Sequence, residues 1–160
     1  MNIFFLNKNP HIAAHMQCDK HVVKMVLETT QMLCTAAIRN GRNAPYKVAY
    51  PKHPMTMWVG DTKDNYMWAY EHALALAKEY TQRYGKIHKC EKIIKDLGPV
   101  AGNYNKITEP PLCMPDEFKI HDDITKCYKT YYVHKLASWK TPPRWRLSEP
   151  ENIMDIEQYV

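Results

Sequence analysis

The sequence contains no Cys-x-x-Cys pair, and its five cysteines, at positions 18, 34, 90, 113 and 127, are odd in number. That pattern argues against a disulfide framework and a zinc ribbon, and leaves reduced, mostly buried thiols as the expectation. No apolar run approaches the ~18 residues that span a bilayer, and MNIFFLNKNP carries neither a basic leader region nor a long apolar core. A cytoplasmic protein without a membrane partner is expected. Glycine-rich nucleotide loops, a nucleophile elbow and the H-E-x-x-H metalloprotease signature are also missing, so no cofactor is expected. There is no internal repeat, low-complexity tract or sustained strand alternation.

What is present is the composition of one folded domain. At 160 residues, with 45% hydrophobic and 24% charged side chains, the chain is long enough to bury a core without staples. A single domain over 1–160 is expected. The net charge of +5, carried mostly by lysine, suits attraction to phosphate but is equally that of an ordinary soluble surface.

The helical signals are strong enough to place an all-α fold of four to five helices. Asn9-Pro10 supplies a cap and a first-turn proline, and Asn40-Gly41 a stop, so 10–39 reads as one long helix. A Pro-rich stretch to Trp58 reads as a loop. Asp61 or Thr62 caps a second helix, whose Met67, Tyr70, Leu74, Ala77 and Tyr84 keep helical spacing up to Gly85. A shorter helix over 88–97 stops at Gly98-Pro99, and a Pro-rich connection follows. Another helix is expected over 116–137, and a short last one from Ser148.

Within the first helix, the stretch HMQCDKHVVKMVLE (15–28) interrupts an apolar pattern with groups that carry charge. At about 100° per residue, Gln17, Lys20, His21, Lys24, Glu28 and Gln31 form one polar stripe opposite Ile12, Met16, Val22, Val23, Val26 and Leu33. His15 and Asp19 fall on the apolar side, four residues apart, where imidazole and carboxylate can bond each other. They are either a satisfied core pair or the floor of a cleft with acid-base chemistry. His11, His15 and Asp19 could also form a metal set, but no metal signature accompanies them. Lys20, His21 and Lys24 either face solvent or line an anion-binding cleft.

Two further segments combine cations with flat rings: YKVAYPKHPMTMW (46–58), with Lys47, Lys52 and His53, and SWKTPPRWR (138–146), with Trp139, Lys140, Arg144, Trp145 and Arg146. Such segments offer phosphate contacts and stacking faces, or pack their tryptophans back onto the domain.

Taken in order, HMQCDKH on a long N-terminal helix, HPMTMW before the second helix, and the C-terminal WKTPPRW resemble the pyrimidine-dimer DNA glycosylase and abasic-site lyase family, the phage-type endonuclease V family. The CDKH element also resembles bacteriophage sequences, which implies a viral source. The resemblance implies a compact all-α protein that binds duplex DNA, flips a nucleotide and attacks the sugar carbon with an amine to form an imine. In that family the amine is N-terminal, on a small residue exposed by Met removal, and is assisted by a Glu and by basic groups of the first helix. Here residue 2 is Asn2; the nearest carboxylate is Asp19, with Glu28 further along, and Lys20, His21 and Lys24 stand where the family has Arg-containing clusters. Met1 and Lys24 are the candidate amines. A non-catalytic nucleic-acid or nucleotide binding module is the alternative, and a small interaction protein the third reading.

Overall fold

The computed structural model describes residues 1–146, so the short helix expected from Ser148 lies outside the described residues. Among the described residues there are six α-helices: α1 (Pro10–His15), α2 (Asp19–Arg39), α3 (Pro54–Asp61), α4 (Lys63–Tyr84), α5 (Lys89–Leu97) and α6 (Ile124–Ala137). Two single 3₁₀ turns, Tyr104–Lys106 and Asp116–Phe118, lie in the connection between α5 and α6. Among the described residues there is no strand, and no helix is long and apolar enough to cross a membrane.

The helix ends follow local chemistry. Asn9 accepts from the backbone amides of His11 and Ile12, Thr62 accepts from Asn65, and Gly85 closes α4 in the left-handed conformation that glycine adopts without a Cβ penalty. The helices wrap one apolar core that runs from Ile3 to Leu136. Trp68 is at its centre: its ring lies 4.2 Å from that of Phe5, and its indole N–H donates to the Lys8 carbonyl. The long connection is tied down from inside, because buried Asn65 donates to Trp58 O and Thr108 Oγ1 and accepts from Thr108 N.

Three expectations are corrected. The helix over 10–39 is two helices, broken between Met16 and Cys18. Arg83 donates to the carbonyls of His15 and Gln17, and the Trp145 indole to that of Met16, so carbonyls freed at the end of α1 find partners without helical continuation. On the far side of the break, Asp19 N donates to Arg144 O and Cys18 N to the Tyr132 hydroxyl. One helical wheel cannot describe both halves. Gln17 and His21, placed on the polar stripe, are buried, whereas Ile12 and Val23, placed in the core, are exposed.

The Pro-rich loop ends at His53, short of Trp58, since His53 caps α3 through Nδ1 and Pro54 occupies its first position. The last described helix starts at Ile124, because Asp123 caps it through the amides of Thr125 and Lys126; Ile120, counted as apolar periodicity, is 65% exposed.

Candidate functional site

The extended N-terminal segment brings the start of the chain against the middle of α2. Ile3 to Leu6 are buried, and Phe4 packs on His21 and Tyr132 with ring centroids 4.9 Å away in each case. Asn2 fixes the register: its side-chain amide donates to Cys113 O at 2.9 Å, and its carbonyl oxygen accepts from Ile3 N at 2.8 Å. The wall carrying Cys113 is itself held by Tyr128, whose hydroxyl donates to Pro111 O and accepts from Cys113 N.

This arrangement leaves a cleft of about 530 Å³, lined among others by Met1, Lys24, Glu28, His53, Cys113 and Lys135. The Met1 α-amine lies 3.6 Å from Glu28 Oε1. The Met1 side chain is almost fully buried, and the Glu28 side chain is 17% exposed. The second carboxylate oxygen, Oε2, is buried and has no hydrogen-bond partner among the described residues. His53 is held below the usual histidine range by burial first and by the Met1 ammonium second, while Glu28 acts the other way. Burial pushes the Cys113 thiol up, so it is a poor thiolate nucleophile.

A second cluster sits at the α1–α2 break. Arg83, whose side chain is 2% exposed, places Nη1 3.3 Å from Asp19 Oδ1 and Nε 3.0 Å from Glu79 Oε2. Asp19 also accepts from Arg146 N, and Arg146 Nε lies 3.6 Å from its other oxygen. Glu79 in turn bonds His15 Nδ1 at 2.9 Å. The expected bond between His15 and Asp19 is therefore replaced by separate partners, because the break rotates one away from the other. His15 is partly exposed and Asp19 buried. His11 pairs with Glu71. The three candidate metal ligands thus turn to different partners.

Of the five candidate catalytic residues, Lys24 and Glu28 line the cleft, while His15 and Asp19 belong to the break. His21 stands between the two regions, its Nδ1 2.8 Å from the Tyr132 hydroxyl and its ring beside Trp139. Burial first, then Lys135 and Lys24, lower its pKa to about 3, so it is a neutral imidazole and not a member of a cationic cluster.

Among the candidate nucleic-acid contacts, Lys20, Lys47, Lys52, Lys140, Arg144 and Arg146 are exposed, and His53 enters the cleft. Lys20 lies over the Trp139 ring and Arg146 over Tyr84. Trp139 and Trp145 are half-buried: Trp145 closes the α1–α2 break through its bond to Met16 O, and Trp139 lies against His21 and Lys20, so neither ring stands free. The sequence offers Met1 as an amine, but its meeting with Glu28 depends on the return of the N-terminal segment. Lys135, from α6, and Arg83 carried no sequence signal.

The cleft thus combines a primary amine, a carboxylate with an unengaged oxygen, and lysines that attract phosphate. An amine in this setting can add to an electrophilic carbon, and the carboxylate can accept or return a proton. No protein-family model, curated protein or solved structure matches the chain.

Proposed function

We propose that the protein is a DNA-acting enzyme of the base-excision type, a glycosylase and abasic-site lyase working through an imine. The observation that carries this reading is the Met1 α-amine held beside Glu28 in a cleft flanked by Lys24 and Lys135. In the reaction, the unprotonated amine attacks C1′ of the target nucleotide, and the base leaves with the glycosidic electron pair and takes up a proton. The sugar ring opens as the amine nitrogen forms the C=N bond, and loss of a proton from C2′ then expels the 3′ phosphate. Glu28 is the group placed to receive a proton from the amine, and the lysines hold the phosphates on either side of the flipped nucleotide.

The expected result with a duplex carrying an abasic site, a cyclobutane dimer or a modified pyrimidine is strand cleavage and a borohydride-trapped covalent adduct. A Gly-Ser extension before Met1 should abolish the adduct, whereas Lys24→Ala should retain it. The reverse pattern would move the nucleophile to Lys24, and no adduct with any of the proteins would end the imine mechanism.

A second reading, a nucleic-acid binding module without catalysis, is favoured by a specific charge asymmetry. Residues 29–60 contain no Asp or Glu, and Lys47 and Lys52 within them are exposed. Its sign is binding that weakens steeply with salt and yields no product.

A further inference from the structure

Tyr50 departs from the pattern of every other aromatic ring in the described chain. It is 69% exposed, the one aromatic among the exposed large apolar side chains of the described residues. It is also the one non-glycine residue among them with positive φ, at 47°. A tyrosine in the left-handed region carries a backbone cost that persists only where its surroundings impose it.

Those surroundings are visible on both sides. Ala49 is fastened to α2, since its N–H donates to Thr35 Oγ1 at 3.0 Å and its carbonyl accepts from the same hydroxyl. Three residues on, His53 N donates to Tyr50 O at 3.0 Å, Pro51 stiffens the link, and His53 caps α3. The loop is anchored at each end and its ring is turned into solvent.

Its place matters as much as its strain. His53 and Pro54 line the cleft that holds Met1 and Glu28, and His53 N donates to Tyr50 O, so the loop that carries Tyr50 leads into one wall of that cleft. Lys47 and Lys52 flank it, both exposed, in the stretch that carries no carboxylate. An exposed ring on a short segment that also carries two exposed cations, and that leads into a nucleotide-sized cleft, suits a duplex opened at one position. The cations take phosphates while the ring takes the space that a turned-out nucleotide leaves.

Resting on the reading of the cleft as a site for a flipped nucleotide, we infer that Tyr50 is the wedge: its ring enters the base stack beside the target and holds the gap open. The flipped nucleotide then occupies the cleft, and the orphaned base opposite stacks on the phenol. The ring contributes to recognition in duplex DNA and to nothing in single strands, where no stack has to be opened.

Tyr50→Gly provides a clean test, because glycine accepts positive φ without strain. The variant should melt no lower than the wild type, so a functional loss cannot be attributed to unfolding. Incision of a duplex target should fall about 10- to 100-fold, the size of one base–ring stacking contact. Incision of the same target in single-stranded DNA should stay within about threefold, and Tyr50→Trp should keep duplex activity. A 2-aminopurine placed beside or opposite the target reports the wedge independently of chemistry. Its fluorescence should rise on binding of the wild type and not on binding of Tyr50→Gly. Equal duplex incision by wild type and Tyr50→Gly, or an equal or absent fluorescence rise, would overturn the wedge. Lack of any product with the wild type counts against the enzymatic reading alone, since the fluorescence comparison still decides the role of the ring.

Discussion

Asp19 and Glu28 are carboxylates on the same helix, each beside positive charge, yet their surroundings differ in kind. Asp19 is saturated, with Arg83 on one oxygen, the amide of Arg146 on the same oxygen, and the Arg146 guanidinium near the other. Glu28 has one oxygen 3.6 Å from an amine and a second that is buried and unpartnered. A buried polar atom without a partner has a cost that folding alone does not repay, whereas a fully paired one is part of the scaffold. The difference separates a carboxylate that holds the molecule together from one available for chemistry. Sequence position gave no such separation: Asp19 stands nearer the apparent functional motif.

The largest effect should come from breaking the scaffold side. Arg83 is buried and serves Asp19, Glu79 and two backbone carbonyls at once. Removing one partner of such a group leaves the other charges buried, which typically costs ~3–5 kcal/mol. Arg83→Met should therefore lower stability by about that amount in urea unfolding. Whatever fraction remains folded should keep its borohydride adduct. Little change in stability would mean that the break is held by the tryptophan and the C-terminal segment without it.

On the chemical side, Glu28→Gln removes a charge and a proton acceptor while preserving shape. Adduct formation should fall ~100- to 10,000-fold, the usual range for loss of a positioned acid or base. Stability should drop by only about 1 kcal/mol or less, since a single ion pair with a partly exposed carboxylate is lost. Asp19→Asn should show the opposite balance, a larger loss of stability than of trapping per folded molecule. If both variants lose activity and stability in equal proportion, the distinction between the two carboxylates fails.

The helix termini were legible because they are local events: Asn9-Pro10, Thr62, Gly85 and Gly98 each act within a few residues. The break at 16–18 was not, because the groups that stabilise it, Arg83 and Trp145, come from far along the chain. Helix α3 had its own local sign in His53-Pro54, but three prolines in one stretch concealed it. For the site, Lys24, Glu28 and His53 could be named from residue type and periodicity. Which carboxylate faces the amine could not, since burial of Phe4 and the Asn2 anchor decide that over long sequence distances. Asn2 stands where the resembled family has a small residue; in the fold its side-chain amide, bonded to Cys113 O, anchors the segment that carries Met1.

Acid should act through the scaffold as well. His72 is wholly buried and has a pKa lowered to about 4, chiefly by burial, with Nδ1 at Pro10 O and Nε2 accepting from the Gln17 amide. Its folded pKa lies below the unfolded value of 6.5, so the unfolded chain takes up the proton first as pH falls. The contribution is complete above about pH 6.5 and is lost progressively towards pH 4, amounting to roughly 3 kcal/mol. His21, lowered to about 3, extends the loss further down. Thermal melts between pH 7.5 and 4 should therefore show a falling melting temperature, with a shallower fall in His72→Gln. An identical slope in that variant would assign the acid limb to other groups.

The smallest effect bears on whether the two regions are independent. Trp145 donates one hydrogen bond to Met16 O, and Trp145→Phe removes that bond while keeping most of the ring packing. The expected loss is about 1 kcal/mol, near the net worth of a single hydrogen bond, or a few degrees in melting temperature. The path from the break to the cleft runs through the Tyr132 hydroxyl, which meets both Cys18 N and His21 Nδ1, and then through Phe4 to the N-terminal segment. Packing of this kind passes on small displacements only if its side chains shift together. Because Asn2 and Cys113 hold the amine from the other side, the position of Met1 should survive the loss. Adduct yield per folded molecule in Trp145→Phe should then equal that of the wild type. A drop in yield larger than the drop in stability would mean that the amine reads the state of the break, with His21 as the joint between them.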